Sequence, residues 1–177
     1  MKDIHCEERE VTLMELLDSR EARVLHQNQL MVKYKDAVLV SMMLNIPGPV
    51  KTRSSYISAL KKGLERMELL LGEAGGKVVY KEFRPLVTGC EGYLCVEGLT
   101  PLDVKKEAIS LEEADTLGRL FDVDVLTPSG GISRKVLNGK PRKCLLCDED
   151  AKVCARSRRH DMDQLLDKIA KVLKEYE

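Results

Sequence analysis

From Thr12 onward the apolar positions Leu13, Leu16, Leu17, Val24, Leu30 and Met31 recur at helical spacing to about Tyr34, and Thr12 with Glu15 forms a capping box at the start. A first long helix is predicted there. Polar groups interrupt its inward stripe: Arg20 follows Leu16 by four positions, Arg23 follows it by seven, and Gln27 follows Arg23 by four. An arginine in an apolar stripe snorkels to solvent, pairs with a buried acid or faces an anion in a cleft. Two arginines and a glutamine on one face shift the balance toward a cleft.

Residues 37–44 (AVLVSMML) are short, apolar and closed by Asn45-Ile46-Pro47-Gly48-Pro49, the pattern of a central strand ending in a rigid turn. Lys51 and Arg53 leave that turn, and Ser54 or Ser55 can cap a second helix with Ile57, Leu60, Leu64, Met67 and Leu71 on one face, ending near residues 72–76. Strand, turn, basic residues and helix N-terminus in that order suit a phosphate, although no P-loop pattern is present. Residues 77–83 and 92–96 predict two more strands, and residues 102–113 a short helix in which Ile109-Ser110-Leu111 reads equally as strand. A strand over residues 119–126 turns at Pro128-Ser129-Gly130-Gly131 into a hairpin with residues 132–134. The last helix begins at Asp161, capped with Gln164, and carries Leu165, Leu166, Ile169, Val172 and Leu173. The pattern is α+β: a central mixed or antiparallel sheet flanked by helices, and the 177 residues suit a single domain.

Within the strand over residues 119–126, Asp122 and Asp124 project to one face while Phe121, Val123 and Val125 project to the other. Two parallel carboxylates on a rigid strand repel each other unless a cation lies between them, the arrangement that holds Mg²⁺ against phosphates. The bland alternative is an edge strand with a solvent-facing acidic side. Asp-x-Asp recurs at Asp148/Asp150 and Asp161/Asp163, but in polar surroundings that a loop or a helix N-terminus explains.

Lys plus Arg equals Asp plus Glu, 29 of each, so no overall field drives binding to nucleic acid or an anionic membrane. No run approaches a membrane span, and Met1-Lys2-Asp3-Ile4-His5 begins no secretory signal, so a cytoplasmic protein is expected. Six cysteines in that compartment are read for metal before disulfides. Cys144, Cys147, Cys154 and His160 have the order and rough spacing of a Cys₃His zinc site within a Cys/His-rich loop over residues 142–160; the alternative is core cysteines and a capping histidine. Cys6, Cys90 and Cys95 look unrelated to it. Arg142, Lys143, Arg156, Arg158 and Arg159 form a dense basic patch that suits a polyphosphate tail or plain surface solvation.

Four segments carry a resemblance: SREARVLHQ from Ser19, LNIPGPVK ending at Lys51, LGRLFDVDVLTPSG from Leu117, and RKCLLC with VCARSRRH between Arg142 and His160. Together they resemble the family of citrate lyase holo-acyl-carrier-protein synthases, also called apo-citrate lyase phosphoribosyl-dephospho-coenzyme A transferases. Where that family usually carries His-Pro, Asp115-Thr116 stands here. The resemblance implies a nucleotidyltransferase-like fold. It also implies transfer of the phosphoribosyl-dephospho-coenzyme A group from 2'-(5''-triphosphoribosyl)-3'-dephospho-coenzyme A to a serine of the citrate lyase acyl carrier (gamma) subunit, with pyrophosphate released.

On that scheme Asp122 and Asp124 bind Mg²⁺ and carry catalysis, Asp124 being also a candidate acceptor of the serine proton. Arg20, Arg23, Lys51, Arg119, Arg134 and Arg156 are candidates for neutralising phosphate, with Gln27 orienting one of them. A third carboxylate is open among Glu82, Glu91 and Glu112, with Glu112 slightly favoured. The competing expectation is a noncatalytic module whose zinc-stapled basic loop docks an acidic acyl carrier protein or RNA. Against RNA, the basic patch holds no aromatic residue for stacking.

Overall fold

The computed structural model describes residues 8–137, 139 and 141–176. The readings of residues 1–5 and of Cys6 lie outside the described residues. The capping box forms: the Thr12 hydroxyl accepts from the Glu15 backbone N–H, the Glu15 carboxylate accepts from the Thr12 N–H at 2.8 Å, and α1 (Leu13–Lys33) follows. Its buried side is narrower than the apolar stripe predicted, because Leu13, Leu17 and Val24 face solvent and only Leu30 is fully buried.

β1 (Val38–Leu44) leads through the Pro-Gly turn into α2 (Ser54–Glu73). Neither Ser54 nor Ser55 caps α2: Arg53 occupies the cap position without a side-chain hydrogen bond, and both serines lie inside the first turn. β2 (Lys77–Arg84) and β3 (Glu91–Glu97) form a hairpin, and α3 (Pro101–Glu113) starts where Thr100 accepts from the Asp103 N–H, with Pro101 at its first turn. The ambiguous Ile109-Ser110-Leu111 is therefore helical.

Gly118–Leu120 is a 3₁₀ turn rather than the start of a strand, closed by Asp115, whose carboxylate accepts the Gly118 N–H at 2.7 Å. A Cβ on Gly118 would come within 2.3 Å of the Leu111 carbonyl, so only glycine lets this turn pack on the end of α3. β4 (Phe121–Thr127) follows, and its hairpin partner β5 is Gly130–Gly131, two residues predicted to belong to the turn, in place of the predicted residues 132–134. Beyond Ile132 the chain curls into a turn over Arg134–Leu137, because Arg134 swings back to pair with Glu112 and Glu113. α4 (Ala151–Ser157) follows Cys147 and carries Cys154 where the sequence suggested only a loop, with Asp150 accepting from the Lys152 N–H at 2.7 Å. α5 (Met162–Lys174) begins after Asp161, which holds the cap position but makes no capping hydrogen bond.

The sheet order is β2-β3-β1-β4-β5 and every pairing is antiparallel, which removes the mixed alternative and leaves an α+β fold. α2, α3 and α5 cover the back of the sheet, where Val40, Met42, Leu94, Val96, Val123 and Val125 join Leu60, Leu64, Met67, Leu111 and Val172 in one core. Gly63 gives room to the Phe121 ring, which a Cβ would meet at 2.6 Å, and Gly92 gives similar room to Leu64. Among the described residues no helix is long and apolar enough to cross a membrane.

Candidate active site

β4 alternates as its sequence demands: Phe121, Val123 and Val125 are buried behind the sheet, and Asp122 and Asp124 stand on the front. The register brings Asp122 beside Met43 and Asp124 beside Ser41 on β1, with Glu91 and Tyr93 of β3 beyond them. α1 crosses the front of β1, β2 and β3 but leaves this part of β4 open. It is attached at its C-terminal end by Leu30 and Met31, which pack with Leu39, Tyr93 and Cys95, and before that by polar contacts: Gln27 donates to the Ser41 hydroxyl at 2.9 Å, His26 meets Glu82 at 2.6 Å, and Arg23 lies 3.3 Å from Glu91.

Between α1, the end of β1 and the loop before β3 lies a cleft of about 190 Å³. Arg20, Arg23 and Lys51 line it on one side and Asp122 on another. No hydrogen bond or ion pair engages the Arg20 guanidinium among the described residues. Lys51 donates to the Ile46 carbonyl at 2.6 Å, and desolvation together with the Arg20 charge holds its pKa below the usual lysine value. Two cations held near each other without a carboxylate between them make a receptor for an anion. Tyr56, in the first turn of α2, also lines the cleft, so the helix end that no side chain caps lies at its wall.

Desolvation, then the neighbouring Asp122 charge, push the Asp124 pKa above the ordinary carboxylate value, while Lys105 and Arg23 pull it back. Although its side chain is open to solvent, Asp124 has no hydrogen-bond or ion-pair partner among the described residues, and Asp122 has one, Arg142, at 3.1 Å. Two carboxylates on one face, one of them unpartnered and electrostatically strained, fit a hard cation with oxygen ligands.

The candidates for a third carboxylate are all engaged. Glu82 pairs with His26. Glu91, 1% exposed, is held by Arg23, by Arg84 at 3.3 Å and by the Tyr93 hydroxyl at 2.6 Å. Glu112, favoured from the sequence, works at the back edge of β4 instead. β5 covers only Leu126 and Thr127, so the backbone of Val123 would be orphaned. Glu112 accepts its N–H at 3.0 Å, and buried Lys105 donates to its carbonyl at 2.9 Å. α3 thus closes an open strand edge with side chains.

Three predicted phosphate ligands are not brought to the cleft. Arg119 donates to the carbonyls of Lys143 and Cys144, Arg134 is clamped by Glu112 and Glu113, and Arg156 is exposed on α4. Of the basic patch, Arg142 turns inward, donating to the Phe121 and Arg119 carbonyls as well as to Asp122. Arg158 and Arg159 are exposed, Arg159 lying 3.7 Å from Glu149.

The Cys/His set does converge: the ligand atoms of Cys144, Cys147, Cys154 and His160 all lie within 4.8 Å of one another. Cys147 and Cys154 sulfurs are 3.4 Å apart, and His160 Nε2 is 3.3 Å from Cys147 Sγ. Zinc bonds of about 2.1–2.3 Å at tetrahedral angles place neighbouring ligand atoms roughly 3.5–3.8 Å apart, so the set fits a closed four-ligand centre. Cys95, read as a packing residue, is buried beside Leu30, Leu39 and Tyr93.

Residues 115 and 116, where the resembled family carries His-Pro, lie away from the cleft. Asp115 pairs with Arg66 of α2 at 3.0 Å, and Thr116 is 3.5 Å from the Tyr176 hydroxyl. Sequence reasoning missed the roles of Lys105 and Arg142, because both act on backbone atoms of a strand far along the chain. It also missed the clamp around Glu91; an acid opening an apolar strand was the available signal.

The profile of a family described as apo-citrate lyase phosphoribosyl-dephospho-CoA transferase matches residues 11–176. A protein of Streptococcus pyogenes serotype M1 named probable apo-citrate lyase phosphoribosyl-dephospho-CoA transferase is 36% identical over 97% of this chain and 90% of its own length. A Vibrio cholerae serotype O1 protein of the same name is 34% identical over 97% of each. The Leuconostoc mesenteroides protein named CitXG is 35% identical over 94% of this chain, which spans 36% of that longer protein.

Proposed function

We propose, for a chain that belongs to the apo-citrate lyase phosphoribosyl-dephospho-CoA transferase family, a nucleotidyl-transfer type of reaction at the Asp122/Asp124 cleft. The donor is 2'-(5''-triphosphoribosyl)-3'-dephospho-coenzyme A and the acceptor a serine of the citrate lyase acyl carrier (gamma) subunit. The serine oxygen bonds to the α-phosphorus, the bond from that phosphorus to the bridging oxygen breaks, and pyrophosphate leaves with the electron pair. The family is one of transferases, so the noncatalytic module gives way to an enzyme.

The observation that carries this reading is one small cleft lined by Arg20, Arg23, Lys51 and Asp122, with Asp124, unpartnered among the described residues, next to Asp122 on the same face of β4. Asp122 and Asp124 are the residues that would hold Mg²⁺, which when bound supplies charge neutralisation at the phosphates. Arg20 and Lys51 bind phosphate oxygens, and Arg23, fixed by Glu91, orients the chain of phosphates toward β4. Gln27 keeps Ser41 and α1 in register with Asp124. Asp124, with its raised pKa, is the group on β4 suited to take the serine proton. On the same reading the Cys144/Cys147/Cys154/His160 set holds a structural Zn²⁺, and one domain with its Cys/His loop carries the whole activity.

Intact mass of the apo-carrier after incubation with the protein, Mg²⁺ and the donor tests the proposal. A serine-linked gain equal to the phosphoribosyl-dephospho-coenzyme A group, absent with Asp124→Asn, is expected. A folded Asp124→Asn protein that modifies the carrier at the full rate would remove the acidic pair from the reaction.

A further inference from the structure

We propose that the Cys₃His centre braces the Asp-x-Asp strand, so that bound Zn²⁺ fixes Asp122 through Arg142; this rests on the reading of Asp122 and Asp124 as the cation site. Two arginines cross between the strand and the loop in opposite directions. From the strand side, Arg119 donates to the carbonyls of Lys143 and Cys144. From the loop side, Arg142 donates to the Arg119 carbonyl at 3.2 Å, to the Phe121 carbonyl and to Asp122 Oδ1 at 3.1 Å, and lies 3.8 Å from Glu112. Arg142 is therefore the residue through which Asp122, the β4 backbone and Glu112 meet.

Apolar anchorage of the loop is slight: Leu145 packs, partly buried, against the main core. Between residues 141 and 160 the only fully buried side chains are Cys144 and Cys154, both ligands of the centre. The local frame is a knuckle: Lys143 bridges Asp150, the Cys144 N–H donates to Glu149 at 2.7 Å, and the Ala151 N–H donates to the Arg142 carbonyl at 2.8 Å. A loop this short with no core of its own, and only Leu145 against the main one, is held chiefly by whatever ties its ligands together, and three thiolates with one imidazole bind zinc strongly enough to do so. Four protein ligands leave no open position, so the centre serves structure and not chemistry. Arg142 is accordingly a positioning residue: its guanidinium keeps Asp122 turned along the strand and balances its charge until a cation arrives.

The full chain as purified is expected to contain about one zinc per molecule by elemental analysis. After chelation, backbone amides of residues 119–123 and 142–154 should exchange hydrogen roughly tenfold faster or more, while those of α2 and β3 keep their protection, and one equivalent of Zn²⁺ should restore both. Mn²⁺ binding at the Asp pair, read by electron paramagnetic resonance, should weaken several-fold on stripping. Arg142→Gln should keep the zinc yet show the faster exchange at 119–123 and the weaker Mn²⁺ binding without any chelation.

A chain that takes up no zinc would overturn the brace, as would stripping that leaves residues 119–123 unchanged. Faster exchange throughout α2 and β3 would overturn it equally, since the centre would then support the whole fold. Zinc content and hydrogen exchange involve neither donor nor carrier, so these readouts stand apart from failure of the transfer reaction. Loss of Mn²⁺ binding in the zinc-loaded wild type would instead count against the cation site while leaving the exchange result to judge the brace.

Discussion

Behind the sheet, Leu60, Leu64, Met67 and Leu71 of α2 press on the even members of β1 and β3; in front, α1 lays Arg23, His26 and Gln27 over Glu91 of β3, Glu82 of β2 and Ser41 of β1. Both arrangements use the two-residue alternation of a strand, but they serve different ends. The back removes aliphatic surface from water, at about 1.5–3 kcal/mol for each large side chain fully buried. The front buries a carboxylate between two guanidinium groups, a pairing whose Coulomb gain is largely spent on desolvation, so it contributes orientation more than stability. The back thus carries the larger core and the front the polar residues, with a smaller apolar cluster of Leu30, Leu39, Tyr93 and Cys95 beside them, and substitutions at the polar front and the apolar back should sort accordingly.

The largest effect belongs to the front. Asp124→Asn should cut the transfer rate by about 10³-fold or more, the several kcal/mol expected when a cation site loses a carboxylate, and leave unfolding by urea no easier. Single-turnover transfer alongside a denaturation curve reads both. A variant that loses activity because it unfolds would blur the two faces into one.

Next comes the back. Leu64→Ala, at a side chain 1% exposed, should cost about 3 kcal/mol of stability through lost transfer energy and the cavity left against Gly92. Its folded fraction should transfer at the wild-type rate. A changed rate constant with unchanged stability would reverse the assignment of the faces.

These two faces were not equally legible. The back was: Ile57, Leu60, Leu64, Met67 and Leu71 recur at helical spacing, and the strands that receive them are plain apolar runs. The acidic pair was also legible, because period-two alternation in FDVDV fixes which side each residue takes. On α1, Leu16, Arg20, Arg23, Gln27 and Leu30 do share the inward face, while Leu13, Leu17 and Val24 were assigned to the core and lie outside it. Spacing reveals which residues share a side of a helix but not how much of that side a neighbour covers. The edge of β4 was hidden for a different reason. Lys105, Glu112 and Arg142 satisfy backbone groups of Phe121 and Val123, and a side chain's backbone partner leaves no trace in the sequence around it. The Cys/His spacing foretold the convergence of its four ligands, whereas the two arginines linking that loop to β4 emerged only from the fold.

A smaller effect sharpens the front further. Arg20→Ala should raise KM for the donor by about tenfold, the worth of one charge-assisted contact to phosphate, with kcat and thermal stability nearly unchanged because no partner among the described residues is lost. Steady-state kinetics over donor concentration give the split; a fall in kcat at unchanged KM would place Arg20 at the reacting phosphorus instead.

The smallest effect is a matter of sign. Asp124 has its pKa raised by desolvation and by Asp122, so the native state keeps a proton that the unfolded chain has already released. Below the ordinary aspartate value of 3.8 both states are protonated and the residue is neutral toward stability. As pH rises through the window up to the raised value, stability falls, and above it the full penalty of the crowded acidic pair is present. Glu15 behaves oppositely: hydrogen bonds from Arg9 and Thr12 hold its pKa at about 2, so its contribution is present above the ordinary value of 4.5 and is lost as pH falls toward 2. Asp124→Asn isolates the first term. Without divalent cation, its melting temperature should exceed that of the wild type at pH 7, and the gap should close as pH falls toward 3.8. Added Mg²⁺ should narrow the gap at pH 7 by stabilising only the wild type. A gap that ignores pH would trace the difference to packing around residue 124, and a variant less stable than the wild type at pH 7 would mean that the front face holds its acids at no cost, contrary to the contrast between the two faces.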